Sequence, residues 1–100
     1  MKRTDKKRLN ESLREQSQEL FGEIIAELRE KQDLSQEDFS YECGINRSFM
    51  SKIEAGQTTV SLITLMKLAI GLDMKASDIL IMLEKRIKEQ TAKSAKKPKA

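Results

Sequence analysis

Apolar residues recur in the first third of the chain at the spacing of an α-helix. Leu20, Ile24 and Leu28 lie four residues apart and therefore share one face of a helix. Leu9 lies on the backward continuation of this stripe. The pattern predicts a helix that begins near residue 9 and ends at Asp33.

Four further helices are predicted, each preceded or opened by a residue that can cap free backbone amides. Their predicted starts are Ser35, Asn46, Ser61 and Ser77. Glycines close three of them, at Gly44, Gly56 and Gly71. No segment needs to be a strand, so the sequence predicts an all-α bundle of five helices.

The segment from Gln36 to Ala55 forms one unit of two short helices joined by a tight turn. Two helices can cross steeply only if the first is small where they touch, and Ser40 meets this need. Gly44 allows the sharp bend. The inward positions are apolar: Phe39, Cys43, Ile45, Met50 and Ile53. This pattern is typical of a helix-turn-helix, whose second helix enters the DNA major groove.

The outer face of the second helix carries the candidate DNA contacts. Arg47 lies in its first turn, where two parallel hydrogen bonds to guanine are possible. Phe49 would contact a thymine methyl group. The predicted base contacts are Asn46, Arg47, Ser48, Phe49 and Lys52. The predicted phosphate contacts are Ser35, Gln36, Ser51, Gln57, Thr58 and Thr59. Taken alone, Phe49 is more typical of a core, and each of the other residues is more typical of a solvated surface. The prediction therefore rests on their joint placement on one face of the helix-turn-helix.

Three stretches of this unit resemble the XRE (Cro/phage-repressor-like) helix-turn-helix family: Leu34–Glu37, Gly44–Ile45 and Met50–Gly56. The resemblance extends from about Phe21 to Leu83. It implies a lambda-repressor-like, five-helix DNA-binding domain that acts as a dimer on inverted repeats.

The resemblance also implies roles for individual side chains and a subgroup within the family. Gln36 and Gln57 would contact phosphates, while Arg47, Ser48 and Lys52 would contact bases or neighbouring backbone. Short controller proteins of restriction–modification systems look similar to this chain. The chain departs from the family in three ways: serine replaces the usual alanine at Ser40, no proline precedes the fourth helix at Val60, and the N-terminal extension is long.

The 100 residues suffice for one domain with one core. We divide them into a basic helical N-terminal extension (1–19), a DNA-binding domain that ends in a dimerisation helix (20–88) and a basic disordered tail (89–100). The net charge is +3, but residues 9–88 hold 10 basic and 14 acidic residues. DNA contact must therefore come from a local basic patch or from the basic ends of the chain. Alternatively, the basic ends serve only to keep the protein soluble.

The fifth helix predicts a dimer. Ile79–Leu83 is apolar throughout, and five residues sweep about 500° of helix, so no single face holds them all. A twofold pairing through this helix would set two recognition helices about 34 Å apart, one turn of DNA. The predicted interface comprises Ile79, Leu80, Ile81, Leu83 and Ile87. Alternatively, the N-terminal extension folds back over this face.

Several classes of protein are disfavoured by composition. The chain has no histidine, and its one cysteine, Cys43, has no base to activate it and cannot form an internal disulfide. We therefore predict no catalysis, no cofactor and no metal. The longest apolar run is far shorter than the roughly 18 residues that span a membrane, so we expect a cytoplasmic protein.

The expected partners are double-stranded DNA and a second copy of the chain, with no membrane and no small-molecule effector. RNA polymerase becomes a further partner if the protein activates transcription, a choice that the sequence leaves open. The alternative hypothesis is a protein-interaction module on the same scaffold, such as an antitoxin.

Overall fold

The structure, a computed structural model, describes the backbone of residues 3–95 and the side chains of residues 6–92 other than Leu9. Within this range the protein is all-α, as predicted, and has five helices. They are α1 (Arg3–Lys31), α2 (Gln36–Cys43), α3 (Arg47–Glu54), α4 (Leu62–Gly71) and α5 (Ala76–Ala95).

Three of the predicted helix caps are confirmed. The Ser35 hydroxyl accepts a hydrogen bond from the Asp38 amide at 3.0 Å at the start of α2. Ser61 accepts one from the Thr64 amide at 3.1 Å at the start of α4. Asn46 caps α3 in the same way. The starts of these helices are therefore fixed by short-range hydrogen bonds that the sequence reveals.

The first four helices all end in one type of turn. A residue with a left-handed backbone follows each helix, and the next amide donates to a carbonyl five residues back, as Ile45 does to Ser40 at 2.9 Å. The left-handed residues are Asp33, Gly44, Gly56 and Asp73. The sequence predicted the ends at Asp33, Gly44 and Gly56 but not the left-handed residue Asp73, because aspartate adopts this conformation less often than glycine.

The core lies between α1, the helix-turn-helix and the last two helices. α1 packs against α3 and α5, α2 packs against α3 and α4, and α4 packs against α5. The largest fully buried side chains are Ile24, Ile25, Phe39, Met50, Ile53, Leu68, Leu72 and Ile79. Every helix contributes to one core, which agrees with a single domain.

Three predicted boundaries differ from the structure. α5 begins at Ala76, so the predicted cap Ser77 lies inside the helix. α1 begins at Arg3, before the predicted start near residue 9. α5 continues to Ala95, so residues 89–95 of the predicted disordered tail are helical. The reason is local: from residue 84 to 95 the chain contains no glycine or proline and is rich in strong helix formers. Residues 96–100, with three of the four lysines of the predicted tail, lie outside the described residues.

The predicted interface on α5 needs one correction. Ile79 is fully buried in the domain core and cannot contact a second copy. Leu83 and Ile87 are half-buried, whereas Leu80 and Ile81 are exposed. Since consecutive residues lie about 100° apart on a helix, one turn of α5 provides both core and surface positions.

The helices of the described residues can be tested directly for the ability to cross a membrane. None of their helices combines the length and the apolar character needed to cross a bilayer.

Candidate DNA interface

The turn between α2 and α3 is built as a helix-turn-helix requires. Gly44 takes a left-handed conformation with φ of 65°. Ser40 is buried where the two helices meet, and its hydroxyl donates a hydrogen bond to the Gln36 carbonyl at 2.7 Å. The polar atom that serine adds is thus satisfied inside α2, so serine can replace the alanine that is usual in the family.

α3 has one buried and one exposed face. Met50 and Ile53 are buried in the core. Arg47, Ser48 and Lys52, all predicted base contacts, are exposed, and so is the predicted phosphate contact Ser51. The four exposed residues share one side of the helix because they fall within about 140° of its circumference.

Phe49 does not lie on that outer face. It is half-buried and packs against the core. The reason is its angular position, since Phe49 precedes Ile53 by four residues and lies only about 40° from it on the helix. The expectation of a solvent-exposed aromatic ring was therefore wrong, and Phe49 offers DNA only the edge that the core leaves uncovered.

Two predicted contact residues act as helix caps. The side-chain oxygen of Asn46 accepts hydrogen bonds from the Ser48 and Phe49 amides at 2.8 and 3.3 Å. Its side-chain NH₂ group remains the part that could donate to a base. Ser35 is similar, because its oxygen caps α2 while its hydroxyl proton can still be donated.

An ion pair holds α3 in place. The Arg29 guanidinium donates to both carboxylate oxygens of Glu54, with Nε–Oε2 at 2.8 Å and Nη2–Oε1 at 3.0 Å. A third N–H of Arg29 donates to the Leu34 carbonyl at 2.7 Å. Only 14% of the Arg29 side chain and 6% of the Glu54 side chain are exposed. The hydrogen bonds from Arg29 to Glu54 raise the pKa of the guanidinium above its ordinary value.

The same ion pair orients Gln36. Its side-chain NH₂ donates to Glu54 at 2.9 Å, so this residue at the start of α2 is tied to the end of α3. The network thereby joins the end of α1, the start of α2 and the end of α3. Sequence reasoning missed it, because Arg29 and Glu54 lie 25 residues apart and neither has a local signature.

The loop after α3 contains the remaining predicted phosphate contacts. Gln57 and Thr59 are exposed and Thr58 is half-buried. The NH₂ group of Gln18 in α1 donates to the Thr59 hydroxyl at 2.6 Å. No pattern in the sequence indicates that the N-terminal extension reaches this loop.

The charges of α3 favour a polyanion on its outer face. Arg47 and Lys52 are exposed cations, and the one acidic residue of the helix, Glu54, is paired with Arg29. The exposed face of α3 is therefore positive, although residues 9–88 as a whole are net negative.

Cys43 lies away from this face. Burial, and secondly the charge of Glu42, raise the pKa of its thiol to about 11. The thiol is therefore protonated at neutral pH and acts as an apolar core group. Among the described residues, no three or more cysteine, aspartate and glutamate side chains gather where they could hold a metal ion.

Comparisons with known proteins agree with this geometry. A family model described as helix-turn-helix matches residues 25–79. The control protein C.MunI from a Mycoplasma species is 41% identical over 66 residues, which are 65% of this chain and 89% of that protein. The control protein C.BamHI from Bacillus amyloliquefaciens is 36% identical over 62 residues, which are 61% of this chain and 76% of that protein.

A solved structure supports the same assignment. The crystal structure of the restriction–modification controller protein C.AhdI from Aeromonas hydrophila superposes with a TM-score of 0.58 at 39% identity. The match covers 59% of this chain and 89% of C.AhdI. The protein thus belongs to the XRE-like helix-turn-helix family of DNA-binding transcription regulators.

Proposed function

We propose that this protein acts as a dimer on an inverted-repeat operator and controls genes of a restriction–modification system. One observation carries the proposal: the exposed residues of α3 form a positive face on a rigid helix-turn-helix. The similarity to C.MunI, C.BamHI and C.AhdI supports the choice of controlled genes.

Within this proposal, the side chains of the interface divide by task. Arg47 reads a guanine, with Ser48 and Lys52 beside it on the same face. The phosphate contacts come from the two ends of the helix-turn-helix, with Ser35 and Gln36 at the start of α2 and Ser51 near the end of α3. The loop residues Gln57, Thr58 and Thr59 extend these contacts along the backbone.

The dimer would use more surface than α5 alone. Leu62, Ile63, Met66 and Ile70 keep between 52% and 79% of their surface exposed. Because these four residues fall within about 100° of the circumference of α4, they form one apolar stripe. Burying a large apolar side chain contributes roughly 1.5–3 kcal/mol, so a second copy is the occupant that best accounts for the stripe. On α5, Leu80 and Ile81 would join it.

Other parts of the proposal concern what the protein does not do. The positive face of α3 can explain DNA binding without any catalytic group. We therefore propose that the protein has no enzymatic activity. We place this regulator in the cytoplasm, because it must meet its operator DNA to act. Contact with RNA polymerase would add activation to repression, depending on where the operator lies relative to the promoter.

The decisive experiment is selection of binding sites from random duplex DNA, with the wild-type protein and Arg47→Ala in parallel. We expect the wild type to enrich an inverted repeat whose half-site centres lie about one helical turn apart. Arg47→Ala should bind this site more weakly by roughly 1–3 kcal/mol and lose base preference at one position of each half-site.

Two outcomes would contradict these expectations. Uniform weakening of Arg47→Ala on every sequence would make Arg47 a phosphate contact. If the wild type enriches no motif, the operator-reading function fails. Co-purification of a protein partner on the apolar stripe would then favour the antitoxin alternative.

A further inference from the structure

The N-terminal half of α1 extends the domain beyond the segment shared with the family. The family model begins at residue 25, whereas α1 begins at Arg3. A groove of about 650 Å³ lies between this half of α1, the loop after α3 and the starts of α4 and α5. Its apolar lining comprises Leu13, Phe21, Val60, Leu62, Leu65, Leu80 and Leu83.

The rim of this groove joins α1 to the loop that contains proposed phosphate contacts. Thr58 and Thr59 line one side, and Arg14 and Gln18 line the other. The hydrogen bond from Gln18 to the Thr59 hydroxyl, at 2.6 Å, fixes the two sides to each other. Because Arg14 precedes Gln18 by one helical turn, its guanidinium lies on the same side of α1 as that hydrogen bond.

The polar groups of the rim suit an anionic backbone. It holds one cation, Arg14, together with the neutral hydroxyl and amide groups of Asn10, Ser17, Gln18, Thr58, Thr59 and Ser61, and no carboxylate. Glu11, Glu15 and Glu19, the acidic residues of this half-helix whose side chains are described, do not line the groove. Such a rim offers hydrogen-bond donors and positive charge, which are the groups that contact DNA phosphates.

The same face continues towards the start of the helix. Lys7 lies seven residues, or two turns, before Arg14, and both side chains are exposed. In the described part of the chain, the ion pairs involve Arg29 and Arg86, not Arg14 or Lys7. The two cations lie about 10 Å apart along the helix axis, far enough to reach separate phosphates.

We infer that the N-terminal half of α1 is a second phosphate-binding element of the DNA interface, with Arg14 as its main contact and Lys7 beyond it. The inference rests on the proposed function, because it takes the Thr58–Thr59 loop to lie at the DNA backbone. It explains how a domain with net negative charge between residues 9 and 88 binds a polyanion. The extension then adds affinity without reading sequence.

The test compares Arg14→Ala with Arg8→Ala, an identical substitution on the same helix at a residue that does not line the groove. The full-length proteins are titrated against a random-sequence duplex and against the selected operator at several salt concentrations. Each phosphate contact contributes about 0.9 to the slope of log K against log[salt]. We expect Arg14→Ala to lower this slope by about 2 for a dimer on both duplexes, while Arg8→Ala keeps the wild-type slope.

Circular dichroism and sedimentation are measured on both variants, which should remain folded and keep the wild-type oligomeric state. An unchanged slope for Arg14→Ala, or an equal decrease for Arg8→Ala, overturns the inference. The proposed function can fail separately, since it requires an enriched operator motif, whereas a phosphate contact changes the slope on random duplex DNA as well.

Discussion

The thiol of Cys43 lies in the core, where burial raises its pKa from an ordinary value of 9.0 to about 11. Between these two pH values the unfolded chain loses the thiol proton while the folded protein keeps it. Stability from this group is therefore fully present below pH 9 and is lost as the pH rises towards 11.

We expect the free energy of unfolding to fall by about 2–3 kcal/mol over this range through Cys43 alone. Urea unfolding of the wild type and of Cys43→Ala between pH 8 and 11 measures the effect. Other groups titrate in both proteins, so the difference between the two curves isolates the thiol. Parallel curves would show that Cys43 does not carry the pH dependence.

The Arg29–Glu54 pair shows how residues far apart in sequence set the position of the recognition helix. Glu54→Ala leaves a guanidinium that is 14% exposed without its partner and also removes the acceptor of Gln36. We expect a loss of about 3 kcal/mol of stability, because an uncompensated buried charge is costly. Urea unfolding measures the loss.

The pair between Glu27 and Arg86 provides the matched control. This pair is also bidentate, through Nη1 and Nη2 of Arg86, but 53% of the Glu27 side chain is exposed. Glu27→Ala should therefore cost only about 0–1 kcal/mol. Equal losses in the two variants would contradict the argument that burial makes the Arg29–Glu54 pair important.

At the scale of whole elements, the sequence predicted what depends on near neighbours. The caps at Ser35, Asn46 and Ser61 follow from hydrogen bonds within three residues, and they are confirmed. Tertiary packing set the rest. The apolar positions of α4 do not reveal which of them meet the core, so the exposed stripe that includes Ile70 was missed. Phe49 was misplaced because it lies at the boundary of two faces.

The contact between α1 and α3 is another feature that the sequence did not reveal, and it depends on Gly22. A Cβ atom at this position would lie 2.5 Å from the Ile53 carbonyl oxygen and 2.7 Å from that of Glu54. Both oxygens belong to the backbone of the recognition helix, so they cannot move aside without shifting that helix.

Gly22→Ala should therefore lower stability by about 1–3 kcal/mol, as overpacking does. Helix propensity alone would raise stability by about 1 kcal/mol, so the sign of the change separates the two effects. Urea unfolding measures it. Glu23→Ala, at the exposed neighbouring residue, is the control and should change stability by less than about 0.5 kcal/mol. A stabilised Gly22→Ala would mean that the two helices are less closely packed than in the structure.

At the scale of the whole molecule, the proposed dimer interface on the apolar stripe would determine how many recognition helices meet the DNA at once. One α3 contacts only a few base pairs, whereas two copies related by a twofold axis read an inverted repeat. The exposed residues of the stripe belong to α4, whereas those of the recognition face belong to α3. A second copy could therefore cover the stripe while both recognition helices remain free for DNA.

Ile70→Glu places a charge on this surface, at a side chain that is 73% exposed in one copy of the chain. The folded monomer should tolerate the change, because the carboxylate remains in water, but a dimer would have to bury it. We expect sedimentation velocity to show a folded monomer with weak operator binding. Lys67→Glu, at an exposed residue of the same helix about 40° beyond Ile63, adds its charge beside the stripe and not within it, so this variant should remain dimeric. If Ile70→Glu also remains dimeric, the stripe is not the dimer interface, and the exposed pair Leu80 and Ile81 on α5 becomes the next surface to substitute.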